Sequence, residues 1–228
     1  MLNYIEVKPK TELSKILFAK KYDLSQKVNL LFGSNGVGKT TLIEAILGNK
    51  HKNEYAYDKN DKPTLMFSYS NSTQNKRHMT NNPYLKYQDY FNPDLINQMF
   101  TAKELSEGQS IIYTIQEFLY LAKTENDTNK DYLFLIDELD SGLSIDNIIW
   151  VCDKINKIIK DRENIQFIIA FNNYEFCNQF KTVTNMYTGK LEVIDSYDEY
   201  KNKLISNREK LLKKRKNNQF REEYNNDK

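Results

Sequence analysis

The sequence predicts an α/β protein with a mostly parallel sheet and flanking helices, because short apolar runs alternate with amphipathic helical patterns. Residues 28–32, 132–136 and 165–170 are apolar runs of strand length. Residues 145–159 carry apolar side chains at helical spacing. A glycine-rich loop, residues 33–38, leads from the first of these strands into a helical pattern. Ligands of such sheets bind where the strands end.

Other elements follow from local patterns along the chain. Strands are predicted at residues 2–8, 16–18, 27–32 and 64–70, with a weaker strand pair within 182–195. Polar residues 49–62 are interpreted as an exposed loop or hairpin, and residues 71–74 as a polar turn.

The middle and the end of the chain favour helices. Residues 75–104 are rich in aromatic side chains and interrupted by Pro83 and Pro93, which predicts short helices in a small subdomain. Their aromatic cluster fits either a small core or a docking face for a partner. A helix is predicted to begin at residues 105–109, and another begins at Tyr197.

Composition limits the class of protein. A chain of 228 residues fits one large domain. Its net charge of +2 predicts no strong overall electrostatic field and no obligatory nucleic-acid partner. Cys152 and Cys177 lie in helical patterns and are predicted to be free, buried thiols of a cytoplasmic protein. No signal peptide is visible, and no stretch approaches the roughly 18 apolar residues of a membrane span. We therefore expect no direct membrane insertion.

The loop has the spacing G-x-x-x-x-G-K-T of a phosphate-binding loop. Its glycines allow successive backbone N–H groups to point at an anion, and the following helix N-terminus adds partial positive charge. Lys39 is predicted to reach the β- and γ-phosphates, and the Thr40 hydroxyl to hold Mg²⁺. The predicted ATP-binding residues of this stretch are Gly33, Ser34, Asn35, Gly36, Val37, Gly38, Lys39, Thr40 and Thr41.

Two carboxylates follow the apolar run at 132–136. Asp137 is predicted to bind Mg²⁺ directly or through its waters, and Glu138 to polarise an attacking water. An acidic pair at a strand end is weak evidence alone. Combined with the phosphate-binding loop, it indicates hydrolysis of a phosphoanhydride.

These motifs resemble those of ABC-type ATPases, in the same order along the chain. Residues 33–40 resemble their Walker A motif, 133–138 their Walker B motif and 139–144 their D-loop. Residues 105–109 resemble their signature motif, which implies further ATP contacts by Ser106, Glu107, Gly108 and Gln109, with Glu107 replacing a glycine. Gln74 is a weaker match to the Q-loop glutamine, which would add a metal ligand.

The resemblance implies more than the motifs alone. It places an ATPase domain at residues 1–200, with N-terminal antiparallel strands and a helical subdomain at about 75–122. It implies a homodimer joined head-to-tail by two ATP molecules, in which one subunit's signature closes over the other's Walker A. The sequence of residues 35–46 resembles most closely that of ATPases that are similar to SMC and RecF proteins but have no coiled-coil arms. That likeness implies a separate effector protein, such as a nuclease or toxin of a defence system.

One departure concerns catalysis. Where the family usually has a histidine after the strand at 165–170, this chain has Asn172. An amide donates a hydrogen bond but cannot take up and transfer a proton as a histidine can, so the predicted catalytic set of Lys39, Glu138 and Asn172 implies slow turnover. Two alternatives to the effector hypothesis stay open: a nucleotide-binding subunit of a membrane transporter, and an ATP-sensing scaffold that hydrolyses slowly or not at all.

The C-terminal segment 201–228 is basic, with ten Lys/Arg against four acidic residues. A solvated helix explains this segment most simply. Contact with nucleic-acid phosphates or an acidic partner is a second interpretation, and a membrane-surface helix is a third.

Overall fold

A computed structural model describes residues 1–8, 21–47, 54–59, 62–70, 78–80, 107–125 and 127–226. Side chains are described throughout these ranges except at 54–59, 78–80, 107–110 and 214–226. The strands are β1 (Leu2–Lys8), β2 (Lys21–Asp23), β3 (Val28–Phe32), β4 (Glu54–Lys59), β5 (Thr64–Ser70), β6 (His78–Thr80), β7 (Asp131–Asp137), β8 (Ile165–Ala170), β9 (Thr182–Asn185) and β10 (Leu191–Val193). The helices are α1 (Lys39–Ile46), α2 (Glu107–Thr124), α3 (Ile145–Asp161), α4 (Glu175–Phe180) and α5 (Tyr197–Asn226).

The main sheet has seven strands in the order β10-β9-β3-β8-β7-β5-β6. Its five central strands run parallel, and each edge strand is antiparallel to its neighbour. A second sheet, β2-β1-β4, is antiparallel. The predicted fold class is therefore confirmed, including the N-terminal antiparallel strands.

Both faces of the main sheet are buried, which explains why its strands are continuous apolar runs. In β8, Phe167 and Ile169 pack in a core with α2, α3 and α4. The alternate residues Ile168 and Ala170 pack on the opposite face with α1 and the antiparallel sheet. The period-2 alternation of a strand thus divides one apolar run between two cores.

Several local predictions need correction. The segment 49–62, expected as an exposed loop or hairpin, contains β4, which pairs along the length of β1. The segment 75–104, expected as short helices, contains the short strand β6. Helix α4 and the short strand β2 were not predicted. The strand expected at 16–18 and most of the predicted helical subdomain lie outside the described residues.

Gln166 joins the two sheets. Its side chain is 2% exposed, although a glutamine in a buried strand is unusual. The amide oxygen accepts a bond from the Leu2 backbone N–H at 2.8 Å, and Nε2 donates to the carbonyls of Leu2, Leu24 and Gln26 at 2.6–3.0 Å. One side chain therefore satisfies backbone groups that neither sheet pairs itself.

We expect Gln166→Leu to lower the free energy of unfolding by about 2–4 kcal/mol, because several buried backbone groups lose a partner. Urea unfolding followed by circular dichroism measures this change. Gln179→Leu is the matched control, because Gln179 is partly exposed and bonds only locally, to Glu175. Equal effects of the two substitutions would show that the hydrogen bonds of Gln166 between the two sheets do not stabilise the fold.

The two cysteines of the chain are free and buried, as predicted. Cys152 lies on α3 and Cys177 on α4, both in the core beneath the main sheet. Burial raises the pKa of the Cys177 thiol to about 12 and that of Cys152 further.

Candidate functional site

The candidate site lies where parallel strands β3, β7 and β8 end at the same edge of the main sheet. The loop after β3, the acidic pair at the end of β7 and the turn after β8 meet there around one cavity of about 200 Å³. Its walls are formed by Asn35, Gly36, Gly38, Lys39, Thr40, Thr41, Asp137, Glu138 and Asn172. Three separate stretches of the sequence thus contribute side chains to one small volume.

The loop has the backbone that an anion-binding cradle requires. Gly36 and Gly38 have φ values of 77° and 102°, in the left-handed region that favours glycine. Gly38 is the N-cap of α1, so the helix N-terminus opens onto the cavity. Gly33 and Val37 are buried behind the loop, and the Ser34 hydroxyl and backbone N–H contact the hydroxyl of Tyr187.

Lys39 is 8% exposed and held in place by two hydrogen bonds. Its Nζ donates to the Gly33 carbonyl at 2.7 Å and to Oδ1 of Asn172 at 2.9 Å. Burial lowers the pKa of the Lys39 ammonium, while the carboxylates of Asp140, Asp137 and Glu138 oppose that shift. A bound phosphate would accept charge-assisted hydrogen bonds from this ammonium and so replace the water contacts that burial has removed.

Asp137 and Thr40 place two oxygen atoms side by side. The Thr40 hydroxyl donates to Oδ1 of Asp137 at 3.2 Å, and Asp137 is 4% exposed. Burial raises the pKa of Asp137 to about 6, with Glu138 and Glu44 contributing in the same direction. A buried carboxylate oxygen beside a hydroxyl oxygen offers the kind of ligands that a hard cation such as Mg²⁺ takes.

No group of three or more His, Cys, Asp or Glu side chains suited to a metal occurs in the part of the chain that the structure describes. Thr40 and Asp137 fit Mg²⁺ only as part of a larger ligand set, which phosphate oxygens and waters would complete.

Glu138 has a strained backbone. Its φ of 52° lies in the left-handed region, which a residue with a Cβ adopts at a cost of about 1 kcal/mol. The residue follows the last residue of β7 and is half-buried at the cavity. Strain of this kind is concentrated at functional sites, where the surrounding structure holds one side chain in a set direction.

No protein-family model matches the sequence, and no curated protein matches it. Solved structures do match. The cassette MJ1267 of an ABC transporter aligns with 18% identity and a TM-score of 0.54, over 91% of this chain and 98% of its own. A nucleotide-free ATP-binding cassette of an ABC transporter aligns with 18% identity and a TM-score of 0.52, over 90% and 96%. The chain has the fold of an ABC ATP-binding cassette.

The matches to the Q-loop and to the signature motif include residues that the structure does not describe, or residues whose side chains it does not describe. Gln74 and Ser106 are outside the described residues. Glu107, Gly108 and Gln109 form the first turn of α2, with side chains outside the described part. Their contacts with ATP stay predictions, as does the closer likeness to SMC and RecF proteins. Among the described residues, no helix is long and apolar enough to cross the bilayer.

Three further residues support the site, although the sequence analysis did not name them as site residues. Oδ2 of Asp140 accepts bonds from the backbone N–H groups of Asn172 and Asn173, the first at 2.7 Å. The Tyr200 hydroxyl donates to the Asn172 carbonyl, and the Tyr187 hydroxyl contacts that of Ser34. The D-loop match at 139–144 pointed to Asp140. No pattern in the sequence pointed to the tyrosines, which lie far from their partners along the chain.

Proposed function

We propose that this cassette binds ATP with Mg²⁺ at the cavity and hydrolyses it to ADP and phosphate. One observation carries the proposal: Lys39, Thr40, Asp137, Glu138 and Asn172, from three distant stretches, line the same small cavity at a helix N-terminus. The composition of that cavity suits a nucleotide triphosphate, since it offers a cation and backbone donors for phosphates and oxygen ligands for a metal.

Each residue has a role that its surroundings support. The loop N–H groups bind phosphate oxygens, and Lys39 adds a buried positive charge. Thr40 and Asp137 would hold Mg²⁺, which would supply positive charge beside the phosphates. Glu138 takes up the proton of the attacking water. Asn172 contributes an amide that donates a hydrogen bond to phosphate but cannot take up or release a proton, so we propose slow turnover.

We expect Lys39→Ala to weaken the binding of a fluorescent ATP analogue by about 30-fold, since a charge-assisted contact to phosphate is lost. Fluorescence titration with Mg²⁺ present measures the affinity. Lys154→Ala is the matched control, because Lys154 is an exposed lysine on α3 that does not line the site. Unchanged affinity of the Lys39 variant, with a folded circular-dichroism spectrum, would reject this cavity as the ATP site.

We also propose an ATP-dependent, head-to-tail homodimer. The support is the signature-like sequence 105–109, which runs into the N-terminus of α2, where helical N–H groups suit an anion. Light scattering of Glu138→Gln with Mg-ATP is expected to show a dimer. Adding Ser106→Arg is expected to give a monomer, because a large cation would occupy the contact with the partner's ATP.

The partner that ATP controls has two candidates. The resemblance of residues 35–46 to SMC- and RecF-like ATPases supports a separate effector protein that acts on nucleic acid or against phage. The shared fold of transporter cassettes supports a transporter subunit instead. Native co-purification with the products of neighbouring genes separates them, since a multi-span permease would overturn the effector hypothesis. A third role, a scaffold that senses ATP, would fail if purified protein released phosphate at ordinary rates.

Nucleic acid is a proposed ligand of the basic segment 201–228. Deleting residues 207–228 removes most of its positive charge and leaves the start of α5. DNA binding that survives this deletion unchanged would dismiss the role.

A further inference from the structure

Asn172 is held from three directions. Its backbone N–H donates to Oδ2 of Asp140, and its side-chain Oδ1 accepts from Lys39. The third contact comes from α5, because the hydroxyl of Tyr200 donates to the Asn172 carbonyl. Two of the three partners belong to the cassette-type motifs, whereas Tyr200 lies outside every motif of the sequence.

Tyr200 is itself firmly positioned. It is 7% exposed, and its ring centroid lies 5.4 Å from that of Phe32, the last residue of β3. It lies the same distance from the ring of Tyr174, two residues beyond Asn172. Burial raises the pKa of the Tyr200 phenol, so the hydroxyl stays a neutral donor. The first turn of α5 therefore rests on both the strand that enters the phosphate loop and the turn that carries Asn172.

We propose that Tyr200 is a positioning residue: through its hydrogen bond to the Asn172 carbonyl, helix α5 fixes Asn172 and, with it, Lys39 at the ATP site. This inference rests on the proposed ATPase function. The physical reason is the geometry of the turn after β8, in which Asn172 is exposed and depends on its hydrogen bonds for a fixed place. Removing the Tyr200 hydroxyl leaves the Asn172 carbonyl without that donor, while the ring still fills its site.

The first test needs no nucleotide. We compare Tyr200→Phe with Tyr197→Phe by hydrogen–deuterium exchange of peptides that cover residues 171–175. Tyr197 is the matched control, since it is a 59% exposed tyrosine in the same helical turn. We expect exchange at Asn172 and Asn173 to quicken about fivefold in Tyr200→Phe alone, the effect of losing one hydrogen bond. Equal exchange in both variants would overturn the proposal.

The second test is kinetic. Tyr200→Phe is expected to lower kcat for ATP hydrolysis about fivefold with KM changed less than about twofold. In an Asn172→Ala background the same substitution should change kcat less than about twofold, because its route of action is gone. A full effect in that background would show that Tyr200 acts only on general stability, and would reject the positioning role.

Failure of the ATPase proposal would look different. In that case the wild-type protein would neither bind nor hydrolyse ATP, whereas Tyr200→Phe would still quicken exchange at Asn172. That combination rejects the link between α5 and an ATP site.

Discussion

Glu138→Gln is expected to slow ATP hydrolysis by about 100-fold or more while ATP still binds, because the amide cannot accept the proton of the attacking water. The side chain keeps its size, so the cavity that it lines is preserved. Phosphate release under saturating Mg-ATP measures the rate, and titration of a fluorescent analogue measures binding.

The control for this substitution is Glu163→Gln, an exposed glutamate between α3 and β8 that does not line the site. It should leave both readings unchanged. If Glu138→Gln releases phosphate at the wild-type rate, a group other than Glu138 accepts the proton of the attacking water. Glu138→Gly separates the side chain from its backbone: it should be equally inactive, yet no less stable, since glycine accepts a φ of 52° without strain.

Asp137→Asn is expected to have opposite effects on stability and on function. Burial raises the pKa of Asp137 to about 6 in the folded protein, above the ordinary value of 3.8. The folded state then binds more protons than the unfolded chain between about pH 4 and pH 6. Stability without ligands therefore falls as pH rises through this window and stays lower at pH 7. Replacing the carboxyl with an amide removes that cost, which we place at about 3 kcal/mol.

Urea unfolding of the ligand-free protein at pH 4.5 and pH 7 tests the stability effect. The difference between wild type and Asp137→Asn should grow with pH, whereas Asp153→Asn, an exposed control on α3, should track the wild type. A destabilised Asp137→Asn variant at pH 7 would contradict the assignment of the raised pKa to burial.

The functional effect of Asp137→Asn has the opposite sign. Mg²⁺-dependent hydrolysis should fall on the order of 100-fold, because metal assistance contributes several kcal/mol and the amide carries no charge. In the wild type, Mg-ATP affinity should weaken as pH falls below about 6, when Asp137 becomes protonated. A pH-independent affinity across this range would remove Asp137 from the metal site.

The parts of the fold that the sequence predicted are those with a local physical cause. Buried parallel strands such as β7 and β8 are continuous apolar runs, and the phosphate loop requires glycine at positive φ. The acidic pair at 137–138 could be placed because the strand before it was clear. These features need no knowledge of what packs against them.

The parts that were missed depend on distant partners. Strand β4 has many polar residues, so its own sequence gives little sign of a strand. It forms by pairing with β1, which is distant from it along the chain. Helix α4 is only six residues long, too short for helical periodicity to show. Tyr200 is one of 16 tyrosines in the chain, and only the folded structure shows that its hydroxyl reaches Asn172.

The buried cysteines have a practical consequence for following α5 during turnover. Because burial raises the pKa of both Cys152 and Cys177, almost no thiolate exists at neutral pH to react with a maleimide dye. A dye can therefore be attached at one introduced cysteine without removing the native pair. Ile205, 49% exposed on α5, and Val193, 52% exposed on β10, are suitable positions. Fluorescence from such probes would report movement of the C-terminal helix in an otherwise natural chain.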